Sequence, residues 1–124
     1  MKKLKMTAFA VAVFAAAVFL GNAADVRAQS MQWSGTVDDV VQIRIRNRNA
    51  RAITMSGRGY NDDNFFFNGR APRDNTNVSI DKQDGRGKIY IVQQPNRRNN
   101  FTTIVEIVDK KGGPDRYRFT LNWN

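Results

Sequence analysis

The sequence contains no cysteine and no histidine. Missing thiols exclude disulfides, thiolate metal ligands, cysteine nucleophiles and a lipid-modified N-terminal cysteine. Missing imidazole removes the commonest general base, and with it the Ser-His-Asp and Cys-His arrangements. Glutamate is nearly absent as well. Glu106 is the only one, in a strand-like run whose Ile104 and Val108 share its face, so it reads as an edge or surface residue. A glycosidase-type reaction would need a second carboxylate facing it across a cleft. The expectation is therefore a non-catalytic protein without cofactor or metal, with a carboxylate-based enzyme as the weaker alternative.

Long apolar runs are also missing, with one exception near the N-terminus. Ala8 to Leu20 is free of charge but only 13 residues long, against the ~20 that a helix needs to cross a bilayer. Lys2, Lys3 and Lys5 precede it, and small residues follow at Gly21-Asn22-Ala23 and at Val26-Arg27-Ala28. A basic region, an apolar region and a small-residue cleavage site in that order form a secretory signal peptide. Cleavage is expected after Ala28, so that residues 1–28 are a leader and residues 29–124 a single domain. The product would be periplasmic or secreted, with no membrane anchor after cleavage.

Without its leader the chain has 16 basic and 10 acidic residues, a formal net charge of +6, and 12 of the 16 are arginine. Guanidinium groups pair bidentately with carboxylates and phosphates, whereas lysine acts as a point charge. At 96 residues, with no disulfide, stability must come from an apolar core and a continuous hydrogen-bonded sheet.

Alternation of apolar and polar residues, the period of a half-buried strand, recurs along the chain, and no helical stripe competes with it. Val41, Ile43 and Ile45 alternate with Gln42, Arg44 and Arg46, and Tyr117, Phe119, Leu121 and Trp123 with Arg118, Thr120 and Asn122. Further strands are predicted near 31–37, 51–56, 64–68, 77–82, 88–93 and 102–109. Asn47 to Asn49, Asp84 to Gly87 and Lys110 to Asp115 read as turns, and Asp38-Asp39 as a turn cap. The predicted fold is all-β: a single antiparallel β-sandwich, Ig-like or jelly-roll-like, or a small barrel of about 7–8 strands. Its core is expected to contain Trp33, Val41, Ile43, Ile45, Ile80, Ile89, Ile91, Val105, Ile107, Phe119, Leu121 and Trp123. The stretch from Gly57 to Asn77 is the least regular and reads as a loop or edge, a common place for binding residues.

Arginine recurs at alternating positions, Arg44, Arg46 and Arg48, joined across a hairpin by Arg51; Arg97, Arg98, Arg116 and Arg118 add to the set. Together with Tyr60 these are the candidate binding residues, for an anionic polymer or an envelope protein partner. The competing reading is a solvated strand face that discourages edge aggregation. The aromatics are not interleaved with the arginines at the spacing of a nucleic-acid module, which argues against that partner. Asn61-Asp62-Asp63-Asn64 lacks the alternating order and terminal glutamate of a calcium loop and reads as a solvated turn. Gly57-Arg58-Gly59 and Gly85-Arg86-Gly87 lack the spacing and following helix of a phosphate loop and also read as turns.

The frame Trp33-x-Gly35-x-Val37-Asp38-Asp39, then Asp84-Gly85-Arg86-Gly87, Gln94-Pro95, Arg98-Asn99-Asn100 and Tyr117-x-Phe119-x-Leu121-x-Trp123 resembles uncharacterised small exported bacterial β-domain proteins. That likeness spans nearly the whole chain after the leader and implies no activity. Ser56-Gly57-Arg58-Gly59-Tyr60 looks like the Ser-Gly-x-x-Tyr motif of periplasmic C-type lysozyme inhibitors. That likeness implies a lysozyme-inhibitor function, with Ser56 and Tyr60 on an inserting loop. The companion Tyr-x-x-x-Thr-Lys-Gly motif and the cysteines of that family are absent.

Overall fold

The computed structural model describes residues 29–73 and 76–124; the predicted leader lies outside them. The described residues contain six strands, β1 (Gln29–Arg46), β2 (Asn49–Asn68), β3 (Ser79–Asp84), β4 (Lys88–Gln93), β5 (Thr103–Asp109) and β6 (Asp115–Trp123), and a 3₁₀ turn at Arg97–Asn99. All pairings are antiparallel, and the strands form one curled sheet in the order β3–β6–β1–β5–β4, with β2 on the other edge of β1.

The predicted strands 31–37 and 41–46 are one strand, and 51–56 and 64–68 are another. Asp38-Asp39 is thus no turn cap. It is a bulge within β1, with Asp39 at φ 91° and the register against β2 shifting around it. A bulge of this kind bends a strand without ending it. Because the buried positions are odd-numbered on both sides of the bend, Met31, Trp33 and Val37 face the same core as Val41, Ile43 and Ile45. The predicted irregular stretch 57–77 is correspondingly strand up to Asn68, and Gly57-Arg58-Gly59 and Asn61 to Asn64 lie within β2 rather than in turns.

One edge of β1 serves two partners. Residues 29–37 pair with β6 and residues 39–45 with β5. The sheet therefore folds at the Asp39 bulge into two halves, β2–β1–β6–β3 and β2–β1–β5–β4, that enclose one core. Gly35 lies just before that fold. A Cβ there would sit 2.3 Å from the Asn61 carbonyl oxygen and 2.8 Å from the Trp33 ring, closer than any side chain allows. At the opposite, open end a two-residue turn with Asn47 at φ 51° and Arg48 at φ 64° joins β1 to β2, the backbone of a tight hairpin. There the halves are tied together. Arg48 donates to the Gly69 carbonyl, the Val78 amide donates to Gln94 Oε1 over 2.8 Å, and Gln94 Nε2 returns a bond to the Val78 carbonyl over 2.9 Å.

Trp33 stacks on Phe119 with centroids 5.7 Å apart. Nine of the twelve predicted core residues are fully buried; Ile80, Ile89 and Ile91 are partly buried and pack against them. Met31, Val37, Ala52, Val78 and Tyr117 complete the core.

Candidate functional site

The β1–β2 hairpin brings Arg44 and Arg51 directly opposite each other on the exterior of the sheet, with Arg46 one pleat further along the same face. All three are exposed. None forms an ion pair with a described carboxylate; the described ion pairs are Arg86–Asp109 and Arg116–Asp63. Like charges facing each other across a strand pair repel and weaken the pairing. Arg48 belongs to the same hairpin but turns toward the open end. With Asn47, Arg70, Ala71 and Arg73 it lines a shallow cavity there. Arg70 and Arg73 were not picked out from the sequence, since no strand spacing relates them to the hairpin.

The other predicted binding residues are scattered. Arg97 and Arg98 are exposed on the 3₁₀ turn that precedes β5, near the end where Ile45 pairs with Thr103. Arg116 and Arg118 lie on β6 opposite Thr36 and Ser34, in the other half of the sheet. Arg116 bonds Asp63 over 2.7 Å. Tyr60 pairs with Val37 near the fold. Ser56 and Tyr60 thus lie within β2 and not on a loop. The structure gathers Arg44, Arg46, Arg48 and Arg51 and separates Arg116, Arg118 and Tyr60 from them.

A second cluster was not predicted. Asp109, at the inward end of β5, has a wholly buried side chain. It accepts from Arg86 Nη2 over 2.9 Å, from Arg86 Nε over 3.2 Å, from the Tyr117 hydroxyl over 2.9 Å and from the Lys111 amide over 3.2 Å. Arg86 also donates to the Lys111, Gly112 and Gly113 carbonyls, and its own amide bonds Asp115. Gly87 lies against the same group. Its amide donates to the Tyr117 hydroxyl, and a Cβ there would sit 2.1 Å from the Val108 carbonyl oxygen. The β3–β4 turn is thereby locked to the β5–β6 turn at the fold. Alternation alone held the clue: Thr103, Val105, Ile107 and Asp109 share one face, and a carboxylate on a core face requires partners.

Burial, reinforced by the bond to Asp109, pushes the Tyr117 phenol up to about 12. Because its ordinary value is 10.0, the folded state holds this proton more tightly than the unfolded chain. The stability it confers is complete below about pH 10 and is lost as pH rises toward 12. Ultraviolet titration of tyrosine ionisation should show a phenol that titrates near 12 and coincides with unfolding; complete ionisation by pH 11 in the folded protein would contradict the burial of Tyr117.

Three further carboxylates have side-chain or backbone donors. Glu106 accepts from the Tyr90 hydroxyl and, over 3.2 Å, from Gln42 Nε2, and that bond raises the Tyr90 phenol. Asp62 accepts from Trp33 Nε1 over 2.7 Å, and Asp115 is lowered chiefly by the Arg86 amide. Among the described residues no group of three acidic side chains is placed to hold a metal ion. Comparison with protein-family models finds no match, and comparison with curated proteins and with solved structures finds none either.

Proposed function

We propose that this protein is an exported, non-catalytic recognition domain that binds an anionic component of the cell envelope through the arginine-bearing exterior of the β1–β2 hairpin. The observation that carries this reading is the opposition of Arg44 and Arg51, flanked by Arg46, with no described carboxylate paired to any of them. Such a pairing weakens the hairpin unless an external anion neutralises it. Arginine suits phosphate, sulfate and carboxylate groups because its planar fork can take two oxygens at once. The curled sheet is read as a small open barrel, because β1 and β2 pass uninterrupted through both halves. The leader and the absence of histidine and cysteine support export and non-catalytic action.

Heparin chromatography over a salt gradient tests the proposal. The protein is expected to elute later than from a plain cation exchanger, and the Arg44→Ala, Arg46→Ala double variant to elute at clearly lower salt, since each lost phosphate or sulfate contact reduces the salt dependence. Elution of the unaltered protein at trivial salt, or identical elution of the double variant, would reject it.

A further inference from the structure

The two halves of the folded sheet present very different exteriors. On the half built with β6 and β3, the outward positions are Ser30, Gln32, Ser34 and Thr36 of β1 and Arg116, Arg118 and Asn122 of β6, with Thr120 on the same side of the strand but covered by its neighbours. Across β1 they meet Asn68, Phe66, Asn64 and Asn61 of β2. Only Phe66 is apolar. On the half built with β5 and β4, the cross-strand rows read Ile53–Gln42–Glu106–Tyr90 and Ser56–Val40–Val108–Lys88, with Arg51–Arg44–Ile104–Gln93 beside them. Val92, at a register shift of β4, is 44% exposed, Tyr90 40% and Ile53 36%. Solvent-facing sides of antiparallel sheets are ordinarily polar. This one carries Val40, Ile53, Val92, Ile104 and Val108 on either side of a polar Gln42–Glu106–Tyr90 row, about 15 Å across its four strands, and is bordered by Arg44, Arg46, Arg51 and Lys88. Its one carboxylate, Glu106, is occupied by Tyr90 and Gln42.

The charges determine what can cover this face. A second copy of the chain packed on it about a two-fold axis would set four cations against the same four with no free carboxylate between them. A sugar or polynucleotide chain would satisfy the arginines but offers little to Ile53, Val92, Ile104 and Val108, which carry no aromatic ring for stacking except the neighbouring Tyr90. A surface with phosphates above hydrocarbon satisfies both. We propose that this face docks on an anionic lipid bilayer, with Arg44, Arg46, Arg51 and Lys88 at the headgroup phosphates and the aliphatic side chains at the headgroup–acyl boundary. The inference rests on the reading of the hairpin face as anion-binding and names its partner.

Sedimentation with vesicles of phosphatidylethanolamine and phosphatidylglycerol, against vesicles of phosphatidylcholine alone, provides the test. Binding is expected to the first and not to the second. Arg44→Ala with Arg51→Ala should weaken it about 25-fold, at about five-fold for each arginine near a charged surface. Ile53→Ser with Val92→Ser should weaken it about tenfold through lost apolar burial while leaving heparin elution unchanged. Phe66→Ser, on the opposite exterior, should do neither. All variants carry one and the same N-terminus, so differences between them read the face alone. Vesicle binding that is indifferent to Ile53→Ser with Val92→Ser, or equally sensitive to Phe66→Ser, overturns the lipid assignment. Heparin retention without vesicle binding overturns it too and leaves an anionic polymer or acidic protein as the partner. Loss of both removes the proposed function as well.

Discussion

Replacing Asp109 by alanine is expected to lower the free energy of unfolding by about 3 kcal/mol, because it removes a buried carboxylate while leaving its donors in place. The buried Tyr117 hydroxyl loses its acceptor, the Arg86 guanidinium loses its ion-pair partner and keeps only the turn carbonyls, and the Lys111 amide loses its acceptor. For a domain of this size that corresponds to a fall in Tm of roughly 15 °C. Asp109→Asn should be milder, since an amide oxygen can still accept from Tyr117 although the charge that faces Arg86 is gone. Urea unfolding of the two variants measures the difference. If Asp109→Ala lost less than about 1 kcal/mol, the two turns at the fold would be held by backbone pairing and apolar packing, and the carboxylate would be incidental.

A loss of comparable or greater size, about 3–5 kcal/mol, is expected for Phe119→Ala. Phe119 has no solvent exposure and stacks on Trp33. It therefore contacts the aromatic side chain of β1 from the strand that pairs with it at that position. The neighbouring half cannot collapse into the void, because Val41, Ile43, Val105 and Ile107 are themselves fully buried and held in register by β1 and β5. Stabilities of small domains lie near 5–15 kcal/mol, so this variant should be partly unfolded at moderate temperature. A loss under about 1 kcal/mol would place β6 at the surface and remove the basis for reading its alternation as a core face. Circular dichroism on heating and chemical unfolding both report the outcome.

The proposed recognition site was partly legible. The alternating arginines of β1 and their partner Arg51 could be read from the chain, because a tight turn at 47–48 determines which residues face each other. The spread of Arg97, Arg98, Arg116 and Arg118 could not, since nothing local tells which half of the sheet a later strand will join. That Ile104 and Val108 share the outward face of Glu106 followed from alternation, but not which strands would flank them. Ile104 and Val108 look like ordinary strand residues until the partner strands show that their side of the sheet is uncovered. Arg86 was read as a turn residue and is one, but the same turn carries it to Asp109, which is 23 residues further along the chain.

By itself the sequence determined the strand character of the chain, the inward faces of β1, β5 and β6, and turns near 47–49, 84–87 and 110–115. Each of these depends on a period of two or on turn residues, properties that act between near neighbours. The tertiary structure decided the rest. The two predicted runs before and after Asp39 are one strand because β2 pairs with both sides of the bulge. β5 and β6 are not hairpin partners but share one edge of β1. Such choices rest on hydrogen bonds between residues far apart in sequence, and no local pattern encodes them. The missing histidine and cysteine limited what the protein could do chemically. Only the fold showed that the arginine face also exposes Ile53 and Val92.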